Sequence, residues 1–202
     1  MAPYKTYEPI TFDINDIKNS KIFLEENGYV VYKNILSQEQ INEGERLFRE
    51  DWTYVSPKFN FDDKSTWISN NLPMMLAKGM ATYSGFGQSN FMWYMRQQAN
   101  IKRIYENLLE EKEIVVSMDG FSTVFYSIKT PKWLHRDQHP DNKDIWYQGS
   151  YNFKKVYEHS SGLVLVPKSH KFIIKTDKSY KADWVLVDTR KLFCCMEFKY
   201  NS

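Results

Sequence analysis

Cysteine is nearly absent from this chain, and so is any long apolar run. The 202 residues include 2 cysteines, Cys194 and Cys195, and adjacent cysteines rarely reach disulfide geometry. A reducing, intracellular location is therefore expected. The N-terminus lacks the apolar segment of a secretory signal, and no apolar stretch approaches the roughly 18 residues that span a bilayer. These absences predict a soluble cytoplasmic protein that is neither secreted nor membrane-bound.

An excess of one charge is also lacking. The 27 basic and 25 acidic residues give a net charge of +2 at pH 7 and are interspersed along the chain. Because there is no basic block to neutralise a polyanion, nucleic acid is not an expected partner. The hydrophobic content of 42% and aromatic content of 16% can bury a substantial core, and the length suits one domain.

The first half of the chain carries helix signals. The apolar spacing predicts a helix over residues 16–27, which Gly28 would end in a left-handed cap. Aromatic and β-branched residues then predict a strand over residues 29–32.

A second helix is predicted from Ser37, which forms a capping-box pattern with Gln40, to about Arg49. Residues 51–87 lose the helical period and are typical of an irregular loop that acts as a lid or substrate wall. A further helical row of Met, Ile, Leu and Tyr residues follows over residues 88–109.

From residue 114 onwards the pattern changes to short strands. β-branched and aromatic residues are separated by turn formers, which is typical of an antiparallel sandwich or barrel. The predicted strands cover residues 114–118, 121–128, 132–137, 145–153, 162–166 and 184–188.

Two potential metal ligands lie in the stretch from Trp133 to Gln138. Because alternate side chains of a strand point to the same face, His135 and Asp137 are expected to converge. With a second histidine, such a pair forms the 2-His-1-carboxylate face that holds Fe(II) and leaves positions open for substrate and oxygen. The alternative is a pair of surface hydrogen-bonding groups, which the tripeptide alone does not exclude.

Four segments carry a family pattern in the same order. The most specific runs from Gly162 to Lys171 and has the form Gly-Leu-x-x-x-Pro-x-Ser-His-Lys. The other three are residues 28–37, 116–120 and 133–138. Together the segments resemble the phytanoyl-CoA dioxygenase-like branch of the Fe(II)/2-oxoglutarate oxygenases, over residues from about 20 to 190.

The resemblance implies an α+β fold with a double-stranded β-helix, or cupin-like jelly roll, and helices packed outside it. One domain would span residues 1–202, with a helix-rich part at 1–110 and the β-helix core at 111–202. The metal ligands of Fe(II) would include His135 and Asp137, and the co-substrate 2-oxoglutarate would lie near Ser117 and Tyr151. Tyr151 could instead be a residue of the hydrophobic core. Arg136 is expected close to the same pocket, and the alternative for it is a solvated side chain.

The resemblance does not supply a third ligand. In the family a distal histidine and a 2-oxoglutarate-binding arginine follow the Ser-His-Lys turn, but no histidine follows His170 here and the sequence stops at Ser202. The β-helix is therefore expected to be C-terminally truncated, with its final strands missing. His170 is a possible substitute, although its counterpart in the family is structural. His139, His159 and Arg190 are expected to face loops or solvent.

These expectations leave more than one class of function open. The first is an Fe(II)/2-oxoglutarate-dependent dioxygenase that hydroxylates a small organic substrate. The second is a catalytically silent relative that serves as a binding or structural module. A cupin-like binder of a small molecule, without redox chemistry, shares the architecture. The substrate and the oligomeric state do not follow from the residues.

Overall fold

Four α-helices and nine short strands form the regular structure of the residues that the computed structural model describes. Those residues are 5–74, 79–81, 83–117, 120–123, 135–138, 142, 144–152, 156, 162–171, 185–186 and 196–198. The helices are α1 (Ile17–Asn27), α2 (Gln38–Val55), α3 (Asn90–Arg96) and α4 (Ala99–Leu109). None of these helices is both long enough and apolar enough to cross a bilayer. The strands are β1 (Lys5–Tyr7), β2 (Thr11–Phe12), β3 (Val31–Tyr32), β4 (Met80–Ala81), β5 (Phe121–Ser122), β6 (His135–Arg136), β7 (Val164–Leu165), β8 (Val185–Leu186) and β9 (Met196–Phe198).

The chain divides into two compact units. Unit 1 contains residues 1–33 and 132–202, and unit 2 contains residues 34–131. The boundary near residue 110 that the sequence predicts falls inside unit 2. The expectation of a single domain stays a prediction.

Helix α2 begins at a capping box, which confirms the prediction. The Ser37 hydroxyl accepts a hydrogen bond from the Gln40 N–H at 3.2 Å, and the Gln40 side-chain oxygen accepts one from the Ser37 N–H at 2.8 Å. The helix continues to Val55, beyond the predicted end at Arg49. It continues because Trp52, in the added turns, lies on the buried face of the helix.

An aromatic cluster around Trp52 forms the core of unit 2. The Trp52 ring lies 5.5 Å from Phe59, 5.8 Å from Phe86 and 6.1 Å from Phe121, measured between ring centroids. All three pairs are tilted, an arrangement that aromatic quadrupoles favour. Phe59 comes from the segment predicted to be an irregular lid. In its described part that segment is therefore packed against α2 through the core.

The helical row after Ser89 is split into α3 and α4. The Ser89 hydroxyl caps α3 by accepting a hydrogen bond from the Met92 N–H at 3.3 Å. At the junction the Gln98 side chain is buried, donating to the Tyr94 carbonyl at 2.8 Å and accepting from the Gln40 side chain at 2.6 Å. Because these hydrogen bonds satisfy the buried Gln98 carboxamide, the break between the helices costs little free energy of folding.

Unit 1 combines α1 with small sheets. In the described residues β9 is the central strand of one sheet, parallel to β1 and antiparallel to β7. Strands β2 and β3 pair in parallel, and β6 and β8 pair antiparallel. Helix α1 ends at Gly28, whose φ of 79° and N–H···O bond to Leu24 at 2.7 Å confirm the predicted left-handed cap.

The predicted strands are only partly present. Four of the six predicted ranges contain a two-residue strand, at 121–122, 135–136, 164–165 and 185–186. Residues 114–117 and 145–152 have no regular secondary structure, so the strands predicted there are wrong in their described parts. A strand needs a neighbouring strand to satisfy its backbone hydrogen bonds. In addition, the Val115 side chain is 98% exposed and has no apolar packing to hold it. The described strands pair in sheets of two or three, and the double-stranded β-helix stays a prediction.

Candidate functional site

His135 lies on β6 and is held by the antiparallel pairing with β8. Its backbone is opposite Leu186, and that of Arg136 is opposite Val185. The strand ends at Arg136, so Asp137 lies in a bend immediately after the last paired residue. The strand pairing therefore fixes the backbone at His135, while Asp137 depends on the turn that follows.

The structure brings the His135 and Asp137 side chains together. The imidazole Nε2 lies 3.0 Å from the carboxylate Oδ1. The His135 side chain is 23% exposed and that of Asp137 is 47% exposed. The two groups thus meet at the edge of unit 1, where solvent or a small ion reaches the carboxylate.

This separation can be compared with that of two ligands on one metal ion. Donors that bind a common ion at about 2.1 Å and at a right angle lie about 3 Å apart. The Nε2 and Oδ1 atoms meet that condition, and an imidazole with a carboxylate is a donor set suited to Fe(II). The same distance fits a direct hydrogen bond from an imidazole N–H to the carboxylate. Either arrangement makes the pair a charged, polar site.

A third donor is not assigned by the structure. Among the described residues there is no group of three or more His, Cys, Asp or Glu side chains placed to hold a metal ion. His139, His159, Arg190 and the adjacent cysteines lie outside the described residues. The structure therefore describes the two residues that the sequence predicts as ligands, and the metal centre itself stays a prediction.

His170, considered as a substitute ligand, binds instead to the end of α1. Its Nε2 lies 3.0 Å from the Glu25 carbonyl oxygen. On the same turn, the Lys168 N–H donates to the Asn27 carbonyl at 2.7 Å. The ring covers Gly28 so closely that a Cβ atom at that position would lie 2.2 Å from the His170 Nδ1. The turn thus closes over the helix terminus.

Sequence reasoning missed this contact between distant segments. The available signals were the cap glycine at residue 28 and the Ser-His-Lys turn at residues 169–171, which are each visible alone. Helix C-termini leave carbonyl oxygens without partners in the helix, and an imidazole is one of the groups that can satisfy them. The pairing of the two signals required the three-dimensional structure.

The two residues predicted to lie near 2-oxoglutarate are placed differently from each other. Tyr151 belongs to unit 1, where its side chain is partly buried, and this burial raises the pKa of its phenol above the ordinary value. Ser117 belongs to unit 2 and is exposed. The structure therefore keeps Tyr151 in the same unit as His135, and it gives Ser117 no buried environment.

The residue that follows Asp137 makes a contact that the sequence did not predict. The Gln138 Nε2 donates to the carbonyl oxygen of Asp144 at 2.7 Å. The Asp144 N–H in turn donates to the Asn142 side-chain oxygen at 2.9 Å. A glutamine beside a ligand motif has no distinctive spacing, so no sequence signal pointed to this bond.

Unit 2 contains a separate concave surface. It has a volume of about 460 Å³ and is lined by residues that include Tyr54, Asp51 and Ser84. The Asp51 carboxylate is already used there, since it accepts a hydrogen bond from the Phe91 N–H at 2.7 Å. None of the residues predicted to bind metal or co-substrate lines this surface.

Comparison of the chain with protein-family models, curated proteins and solved structures finds no match in any of the three. The resemblance to the dioxygenase family therefore rests on the motifs of the sequence.

Proposed function

We propose that this chain is an Fe(II)/2-oxoglutarate-dependent dioxygenase-like protein that hydroxylates a small organic substrate. The observation that carries the proposal is the 3.0 Å separation between the His135 Nε2 and the Asp137 Oδ1. The resemblance implies that this pair supplies two of the ligands of the family's metal face. Two donors in this arrangement are suited to neighbouring positions on one ion.

The roles of the protein's own residues follow from their placement. His135 and Asp137 would hold Fe(II). When bound, the ion would activate both oxygen and the co-substrate. Tyr151, with its partly buried phenol, would pack against 2-oxoglutarate and keep water from it. The assignment of Ser117 to the co-substrate stays a prediction from the sequence. A reducing, intracellular location agrees with Fe(II) and with a sequence whose two cysteines are adjacent, a spacing that rarely forms a disulfide.

Calorimetric titration with Mn(II), a redox-stable substitute for Fe(II), tests the metal site. The intact chain is expected to bind with micromolar or tighter affinity, and both His135→Ala and Asp137→Ala are expected to abolish that binding. His170→Ala serves as the matched control, because the structure places His170 at α1 and not beside the pair. Unchanged binding in His135→Ala would rule out the proposed ligands, and loss of binding in a folded His170→Ala would make His170 the third ligand.

A second candidate is a catalytically silent relative that binds a ligand without oxidising it. The position of His170 favours it, since the histidine considered as a replacement for the third ligand is bound to the Glu25 carbonyl. Loss of one neutral ligand weakens a metal site severely. Oxygen-dependent conversion of 2-oxoglutarate to succinate by the Fe(II)-loaded protein distinguishes the two candidates. Succinate formation that His135→Ala abolishes excludes the silent relative, and metal binding without succinate favours it.

A further inference from the structure

The strand that carries His135 does not extend to Asp137. Paired backbone positions end at Arg136, and the Asp137 side chain is 47% exposed. A side chain on an exposed bend samples several rotamers, and ordering it on a metal costs conformational entropy. A neighbouring contact that limits the turn would lower this cost and help keep the carboxylate beside the imidazole.

Gln138 supplies such a contact. Its side-chain amide donates to the Asp144 carbonyl at 2.7 Å, a short and well-formed hydrogen bond between residues six positions apart. Asp144 is fixed in turn, because its N–H donates to the Asn142 side chain at 2.9 Å. The backbone immediately after Asp137 is thus tied to a second turn.

We infer that Gln138 is a positioning residue for Asp137, acting through the backbone of the turn and not as a ligand. The inference rests on the proposed metal site and adds to it a residue outside the ligand set. Gln138 holds the bend in the conformation that keeps the Asp137 Oδ1 close to the His135 Nε2. Removing the amide donor frees the turn and lowers the fraction of molecules in which both donors converge.

Mn(II) titration of Gln138→Met and Gln138→Glu tests this inference. Both variants keep the length of the side chain and lose its amide donor. Supporting groups around metal ligands typically contribute 10- to 100-fold to affinity, and a residue acting through the backbone is expected at the lower end, about 10-fold. Gln148→Met is the matched control, an exposed glutamine in the same unit that is expected to bind within about 2-fold of the unchanged chain.

The outcomes separate this inference from the proposed function. If the unchanged chain binds Mn(II) and the Gln138 variants bind equally well, the positioning role is wrong and the metal site stands. If Gln138→Glu binds more tightly, the new carboxylate acts as a ligand and the positioning role is also wrong. If the unchanged chain does not bind, the metal site fails and the inference fails with it. Circular dichroism of each variant verifies that the fold is kept, so that weaker binding in folded variants supports the inference.

Discussion

Unit 2 and unit 1 differ in how they are held together. In the described part of the chain, the buried hydrophobic side chains all belong to unit 2, and they are Leu36, Trp52, Phe59, Ala81, Phe86, Phe91 and Met95. In unit 1 the fully buried described residue is Ser20, whose hydroxyl donates to the Ile17 carbonyl and accepts from the Tyr32 hydroxyl. The candidate chemistry lies in unit 1. Among the described residues, the buried apolar side chains and the His135–Asp137 pair therefore belong to different units.

The largest expected effect is in the aromatic core. Trp52→Ala removes a fully buried ring that contacts Phe59, Phe86 and Phe121, and it is expected to lower the free energy of unfolding by about 3–5 kcal/mol. Urea denaturation followed by circular dichroism measures the change. The control is Tyr54→Ala, two residues further along α2, where the side chain is 90% exposed and the expected change is within about 0.5 kcal/mol. Equal effects of the two substitutions would contradict the buried aromatic core of unit 2.

The next effect tests the cap of α1 in unit 1. Gly28→Ala combines a left-handed backbone with a Cβ atom 2.2 Å from the His170 ring, and it is expected to cost about 3 kcal/mol. Gly85→Ala in unit 2 has a similar φ of 77° and no atom within 4 Å of the added Cβ, so about 1 kcal/mol is expected. The same denaturation experiment compares them. A Gly28→Ala cost no greater than that of Gly85→Ala would mean that His170 does not pack over the helix terminus.

Polar contacts at the helix ends are expected to have smaller effects. Ser37→Ala removes the capping box of α2 and is expected to lower the free energy of unfolding by about 1 kcal/mol.

Lys168→Met removes the exposed ion pair with Glu26 in unit 1, and the expected change is below about 0.5 kcal/mol. Thermal denaturation at low and high salt separates the two, because only the ion pair is screened. If Lys168→Met were the more destabilising change, the Lys168–Glu26 ion pair would stabilise unit 1 more than is expected for two exposed side chains.

The smallest effect is a dependence on alkaline pH in unit 1. Burial raises the pKa of Tyr151 above its ordinary value of about 10, so the folded state holds the phenol proton more tightly than the unfolded state. The resulting contribution to stability is complete below the unfolded pKa and is lost as the pH rises through the folded pKa. Absorbance of the phenolate during a pH titration detects late ionisation, and Tyr151→Phe should reduce its amplitude by one tyrosine, since burial also raises the pKa of Tyr29. A Tyr151 that ionises together with exposed tyrosines would contradict its partial burial.

Features that depend on neighbouring residues could be predicted from the sequence. The capping box at Ser37 and the glycine cap at residue 28 are decided within one helical turn. The two-residue period of a strand predicted that His135 and Asp137 meet, and they do, although β6 ends one residue before Asp137 and a bend carries the carboxylate.

Features that depend on distant partners could not be predicted. The break before α4 is stabilised by a hydrogen bond that Gln40 donates to Gln98, 58 residues away, and nothing in the local pattern identifies that partner. The strands predicted at residues 114–118 and 145–153 had suitable side chains, but in the described part of the chain no strand pairs with them. A third ligand for the proposed metal site has the same difficulty, because it would have to come from another segment of the chain.

The parallel pairing of β1 with β9 has a consequence for the order of folding. Lys5 is opposite Met196, so this sheet joins backbone segments about 190 residues apart, and closing so long a loop is entropically unfavourable. Residues 34–131 of unit 2, by contrast, are continuous. During synthesis the aromatic core can form while later residues are still being added. Its folding shortens the effective loop that must close before β1 can pair with β9.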